Sequence, residues 1–187
     1  MLFTIGVLLF WILLTIWVQF GGKQDSVTIK ALPEHGRALV IYNPDPIYNL
    51  DKQVCNSLAR GLSHSGLTTT VSTVKYVDTN DSKYDLIVFC ANTYNWQPDW
   101  AIQKFIRSFP NLESISTASI TLGAGSTQNA SNKMEKLLRS RNSSVLVSRN
   151  LWLMKPNDET QPDIKNVERA NQIATDIGKH LSRLLSD

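Results

Sequence analysis

Three short stretches hold the residues to examine for chemistry. Tyr94 and Trp96 lie two apart in residues 91–97 (ANTYNWQ), and Gly123-Ala124-Gly125 opens residues 123–127 (GAGST). An aromatic pair offers faces on which a flat apolar ring can stack. Residues 43–49 (NPDPIYN) add the side-chain donors Asn43, Tyr48 and Asn49. Hydrolytic and metal chemistry lack their residues. His35, His64 and His180 all fall outside these stretches, and there is no GxSxG, Walker or HExxH sequence. Cys55 and Cys90 form neither a CxxC nor a Cys/His cluster at zinc-ligand spacing. Asp85 and Asp99 are single carboxylates, suited to strand-end solvation and to pairing with a helix start. Gly123 to Gln128 also resembles the opening of a dinucleotide fingerprint, with Arg149 placed for a 2′-phosphate, but the third glycine is missing.

The elements that must position these stretches follow from apolar patterning. Residues 38–42 (ALVIY), 86–90 (LIVFC) and 119–122 (SITL) are continuous runs of the buried parallel kind. Residues 68–74 and 144–151 are β-branched or alternating and read as two further strands. Between them, Leu50, Val54, Leu58 and Leu62 recur at helical spacing over residues 50–65, and Gly66 ends that helix. Residues 98–109 predict a helix opened by Pro98, 127–141 another, and 166–185 a long closing one. This alternation implies an α/β domain with a five-stranded parallel sheet, doubly wound into three layers, because parallel neighbours require crossovers that place helices on both faces. In such sheets the ligand crevice lies beyond the carboxyl ends of the strands, which is where residues 43–49, 91–97 and 123–127 fall.

Over nearly all of residues 37–185 the chain resembles the flavodoxin-like family. The segment order and lengths match, YDLIVFCANTYNWQPDWAIQKFI (84–106) looks like the family's third strand, flavin-side loop and helix, and SITLGAG (119–125) looks like its fourth strand and glycine-bearing loop. The resemblance implies strand order 2-1-3-4-5 and FMN at the ends of strands one, three and four. Thr93, Tyr94, Asn95 and Trp96 would line one side of the isoalloxazine. The backbone of Gly123, Ala124 and Gly125 would approach its rim, and Asn43, Tyr48 and Asn49 would donate towards the phosphate. The chain departs from the family in that phosphate loop: Pro44 and Pro46 supply no N–H, Ile47 replaces a small residue, and Asp45 brings a negative charge. The functions implied are FMN-dependent electron transfer, or reduction of a small acceptor, with a redox partner protein. The alternative is a flavodoxin-like module that has lost FMN and binds another ligand or a protein.

Every charged residue lies after Phe20. Residues 1–20 therefore read as a transmembrane anchor, since the 19 uncharged, mostly apolar residues 2–20 would as a helix span roughly 28 Å. Residues 21–36 read as a tether and 37–187 as the domain. Lys23, Lys30 and Arg37 follow the apolar segment, so the positive-inside tendency places a single-pass protein with its domain in the cytoplasm. A net charge of +3 with scattered basic residues gives nucleic-acid binding no support.

Overall fold

The computed structural model describes residues 2–77 and 84–186. Among them the chain forms, in order, α1 (Leu2–Gln19), β1 (Ser26–Ile29), β2 (Gly36–Tyr42), α2 (Leu50–His64), β3 (Leu67–Thr73), β4 (Leu86–Tyr94) and β5 (Gln97–Pro98). α3 (Trp100–Ser108), a 3₁₀ turn (Leu112–Ser114), β6 (Ser116–Gly123), α4 (Gln128–Arg139), β7 (Ser144–Trp152) and α5 (Asn166–Ser186) follow. The sheet order is β1-β3-β2-β4-β6-β7. Five of its strands, β3-β2-β4-β6-β7, are parallel and carry the expected 2-1-3-4-5 order. Two strands were not expected from sequence. β1 lies within residues 21–36 and pairs antiparallel with β3, and β5 folds back on the end of β4.

Strand alternation explains the layers. Ala38, Val40 and Tyr42, with Leu86, Val88 and Cys90, point to one face, where they pack with Val54, Leu58 and Leu62 of α2 and Ala170, Ala174 and Leu181 of α5. Leu39, Ile41, Ile87 and Phe89 point to the other, against Ile102 and Ile106 of α3 and Met134 and Leu138 of α4. α2 and α5 cross so closely that a Cβ on Gly61 would stand 2.1 Å from the Thr175 carbonyl oxygen. α3 begins later than the proline rule predicts. Pro98 belongs to β5, and the helix is opened by Asp99, whose Oδ1 accepts the Ile102 N–H at 2.9 Å.

The transmembrane anchor, and with it the membrane localisation, is corrected: among the described residues no helix is long and apolar enough to cross a membrane. α1 is helical as expected but stops at Gln19, and its 18 residues reach roughly 27 Å against a hydrocarbon core of about 30 Å. Its last turn is committed to the domain. Val18 is buried, Gln19 Oε1 accepts the Trp100 N–H at 2.8 Å, and the Gln19 carbonyl accepts from Asn43 Nδ2 at 3.4 Å. Earlier side chains, including Phe3, Leu8, Phe10 and Leu13, are exposed.

Candidate functional site

The carboxyl ends of β2, β4 and β6 open on a cleft of about 280 Å³. One wall is the loop after β2, with Asp45, Ile47 and Tyr48; a second is Thr93, Tyr94 and Asn95 at the end of β4; a third is Leu122, Gly123 and Ala124. α1 closes it with Trp11, Leu14, Thr15 and Val18, and Leu50, Asn92, Leu153 and Met154 complete the lining. The bond from Asn95 Nδ2 to Thr15 Oγ1, 3.1 Å, ties this wall to the β4 side.

Of the residues singled out from sequence, Tyr48, Thr93, Tyr94, Asn95, Gly123 and Ala124 are brought together around this cleft. The other four are placed elsewhere. Asn43 is buried outside the cleft lining and bonds to α1. Asn49 stands at the start of α2 without capping it, its Oδ1 accepting from Gln53 Nε2 at 2.6 Å. Trp96 is 62% exposed at the tip of the β4–β5 hairpin, and Gly125 lies beyond the lining, against Lys155. Gly123 is required for space, because a Cβ there would meet Thr127 Cγ2 at 2.8 Å and Thr93 Cβ at 3.2 Å. The Thr93 hydroxyl is buried and finds no hydrogen-bond partner among the described residues.

From Asp45 on the cleft wall, a hydrogen-bonded run of carboxylates leads inward to buried Asp51 and Asp99. Asp45 Oδ1 accepts the N–H groups of Ile47 at 2.7 Å and Tyr48 at 2.8 Å, while Oδ2 accepts the Tyr94 phenol at 2.7 Å. The Asp45 N–H donates to Asp51 Oδ2 at 2.6 Å, which also accepts from Asn92 Nδ2 at 3.0 Å. The Asn92 N–H donates to Asp99 Oδ2 at 3.1 Å. Asp51 is pushed up from the ordinary carboxylate range by burial, despite hydrogen bonds from Asn92 and two backbone N–H groups. Burial raises fully enclosed Asp99 to about 7, against the lowering effect of the Ile102 and Asn92 N–H bonds. No ion pair to Asp45, Asp51 or Asp99 occurs among the described residues.

Sequence reasoning missed Asp51, Asn92 and the α1 wall. Asp51 looks like an ordinary first-turn acid of α2, and only the sheet brings it to Asn92, 41 positions away. The one signal was Asp45, a charge in a loop that faces the crevice.

Solved structures with little sequence identity to this chain share its fold. An archaeal flavodoxin superposes with a TM-score of 0.66 at 15% identity, covering 81% of this chain and 99% of that one. The Megasphaera elsdenii flavodoxin in its two-electron reduced state gives 0.56 at 10% identity, over 74% and 98%. Rubredoxin:oxygen oxidoreductase from Desulfovibrio gigas gives 0.64 at 9% identity, with 82% of this chain matching only 37% of that one. No family model and no curated protein sequence matches the chain. The chain has the flavodoxin-like fold, an α/β architecture around a mainly parallel sheet.

Proposed function

We propose that this protein is a flavodoxin-like binding module that holds a flat, largely apolar ring system in the crevice at the ends of β2, β4 and β6. The observation that carries this reading is the lining of the cleft, which brings together three aromatic side chains, Trp11, Tyr48 and Tyr94, with Gly123 and Ala124 of the glycine loop. Ring stacking on aromatic faces and close backbone approach are what a planar ligand needs. The unpartnered Thr93 hydroxyl supplies a hydrogen bond to orient it.

The residues present fit the two parts of FMN unequally. They fit the ring, for the reasons just given. They do not fit the phosphate: Pro44 and Pro46 have no N–H, those of Ile47 and Tyr48 are bonded to Asp45, and residues 43–49 contain no Lys or Arg. A second reading, an FMN-dependent electron carrier, is favoured by the likeness to flavodoxins and by the position of Tyr94 and the glycine loop. The mismatch at the phosphate position places it second.

Fluorescence titration of riboflavin and lumichrome into the purified full chain tests the proposal. Saturable binding is expected, weakened severalfold by Tyr94→Ala, since one lost aromatic face costs about 1 kcal/mol. Ala124→Trp, which fills the cleft from an exposed loop position, should abolish binding without lowering the melting temperature. Absence of binding to any planar ring would overturn the reading.

A further inference from the structure

In the loop after β2 the groups that would receive an anion are already serving one. Of residues 44–48, two are prolines, and the three N–H groups that remain all end on carboxylates: Asp45 to Asp51, Ile47 and Tyr48 to Asp45. The second oxygen of Asp45 is held by the Tyr94 phenol. Both oxygens of this side chain are therefore engaged in charge-assisted hydrogen bonds on the cleft wall, and they join the loop after β2 to the hairpin after β4. We propose that the Asp45 carboxylate is a built-in substitute for a ligand phosphate, so that the crevice selects ring ligands that carry no phosphate. The proposal rests on the reading of the crevice as a planar-ring site, and it names the class of ligand that site takes.

Electrostatics and geometry act in the same direction. A phosphate dianion brought to these N–H groups would have to displace Asp45, and the displaced charge would stay beside it on the same short loop. Asp51 and Asp99 are already buried behind Asn92 without a basic partner among the described residues, so a further negative charge has nothing local to neutralise it. An uncharged ring leaves undisturbed the carboxylate, its three donors Ile47, Tyr48 and Tyr94, and the bond from the Asp45 N–H to Asp51. It gains the apolar walls of Leu14, Val18, Leu153 and Met154.

The test is a set of titrations with riboflavin and FMN, which share a ring and differ by the phosphate, into wild type, Asp45→Ser and Asp45→Asn. Asparagine keeps an oxygen for the Ile47 and Tyr48 N–H groups while removing the charge, and thermal melts establish that each variant is folded. Wild type should bind riboflavin at least as tightly as FMN. Asp45→Ser should raise the ratio of FMN affinity to riboflavin affinity tenfold or more, and Asp45→Asn should raise that ratio by a smaller factor. A tenfold preference of wild type for FMN would overturn the proposal while leaving the planar-ring reading intact. So would riboflavin binding with the FMN-to-riboflavin affinity ratio unmoved by either substitution. Failure of all three proteins to bind either flavin would overturn the proposal together with the reading beneath it.

Discussion

The phenol of Tyr94 donates to Asp45 Oδ2 at 2.7 Å across 49 positions of sequence, and it holds the two loops of the cleft together only while it keeps its proton. Burial first, and then the Asp45 carboxylate, raise the Tyr94 pKa above its ordinary value; burial and Asp25 do the same for Tyr42. For a raised folded pKa, the stabilisation is fully present below the unfolded value of about 10 and is lost as pH rises beyond it. In a tyrosinate absorbance titration, Tyr42 and Tyr94 should therefore ionise only as the helical circular dichroism disappears. Assignment by Tyr42→Phe and Tyr94→Phe would check this, and ionisation of both with the helices intact would contradict it.

Asp99 gives a pH dependence at the acid side. Its folded pKa of about 7 lies above the unfolded value, so its contribution is fully present below about pH 4 and declines as pH rises through 7. Compared with Asp99→Asn, wild type should lose stability between pH 4 and pH 7, on the order of 3 kcal/mol over the whole window. Urea midpoints of the two proteins measured across that range provide the check, and parallel curves would show that Asp99 does not titrate there.

Trp96 sits in a two-residue hairpin with Asn95, both at positive φ, 59° and 49°, between the pairs Tyr94–Gln97 and Thr93–Pro98. That geometry favours Asn-Gly, and a bulky residue there costs about 1–2 kcal/mol, against about 0.5–1 kcal/mol for the extra freedom of glycine in the unfolded chain. Since the indole is largely exposed, Trp96→Gly should stabilise the fold by about 0.5–1 kcal/mol in denaturant titrations. Ring-ligand affinity should stay within twofold. A loss of stability or of binding would give Trp96 a contact role that its position outside the cleft lining does not suggest.

Gly178→Ala should do the reverse, although alanine is the better helix former. A Cβ at 178 would lie 2.3 Å from the Leu58 carbonyl oxygen and 2.8 Å from the Leu62 nitrogen, both backbone atoms that move only if α2 and α5 separate. Overpacking of this kind should cost about 2–3 kcal/mol, more than the roughly 1 kcal/mol of propensity gained. Thermal melts of the variant would reveal it, and an unchanged melting temperature would mean that the helix pair yields freely.

The parts of the fold that were legible are those in which a local pattern and tertiary burial agree. The parallel runs of β2, β4 and β6 lie between helices on both faces, so every residue is apolar or small, and the helical spacing of Leu50, Val54, Leu58 and Leu62 reports the single face α2 buries. β1 was not legible because four residues, SVTI, gain their strand character only from pairing with β3. α1 misled because apolar composition does not say what covers a helix, and its last turn is held by Gln19 and Thr15 through partners more than 75 positions away. At the site, Tyr94, Thr93 and Gly123 were legible from their place at strand ends. Trp96 was not, since a two-residue hairpin turns it outward, and Asp51 joins the run of carboxylates only once β2 and β4 are side by side.

β1 also bears on self-association. β3 reads LTTTVST, with no charge and no proline, and most of its residues are β-branched, the composition that most readily recruits another strand through an open ladder. Laying SVTI antiparallel along it, with Thr28 and Thr70 joined through their hydroxyls at 3.0 Å, replaces a seven-residue template by a four-residue one bracketed by Asp25 and Lys30. So short a rim between opposite charges is a poor docking line for a second molecule. Residues 26–29 thus cover the β3 edge of the sheet, leaving β7 as the strand at its other edge, and this cover is independent of whatever the crevice binds.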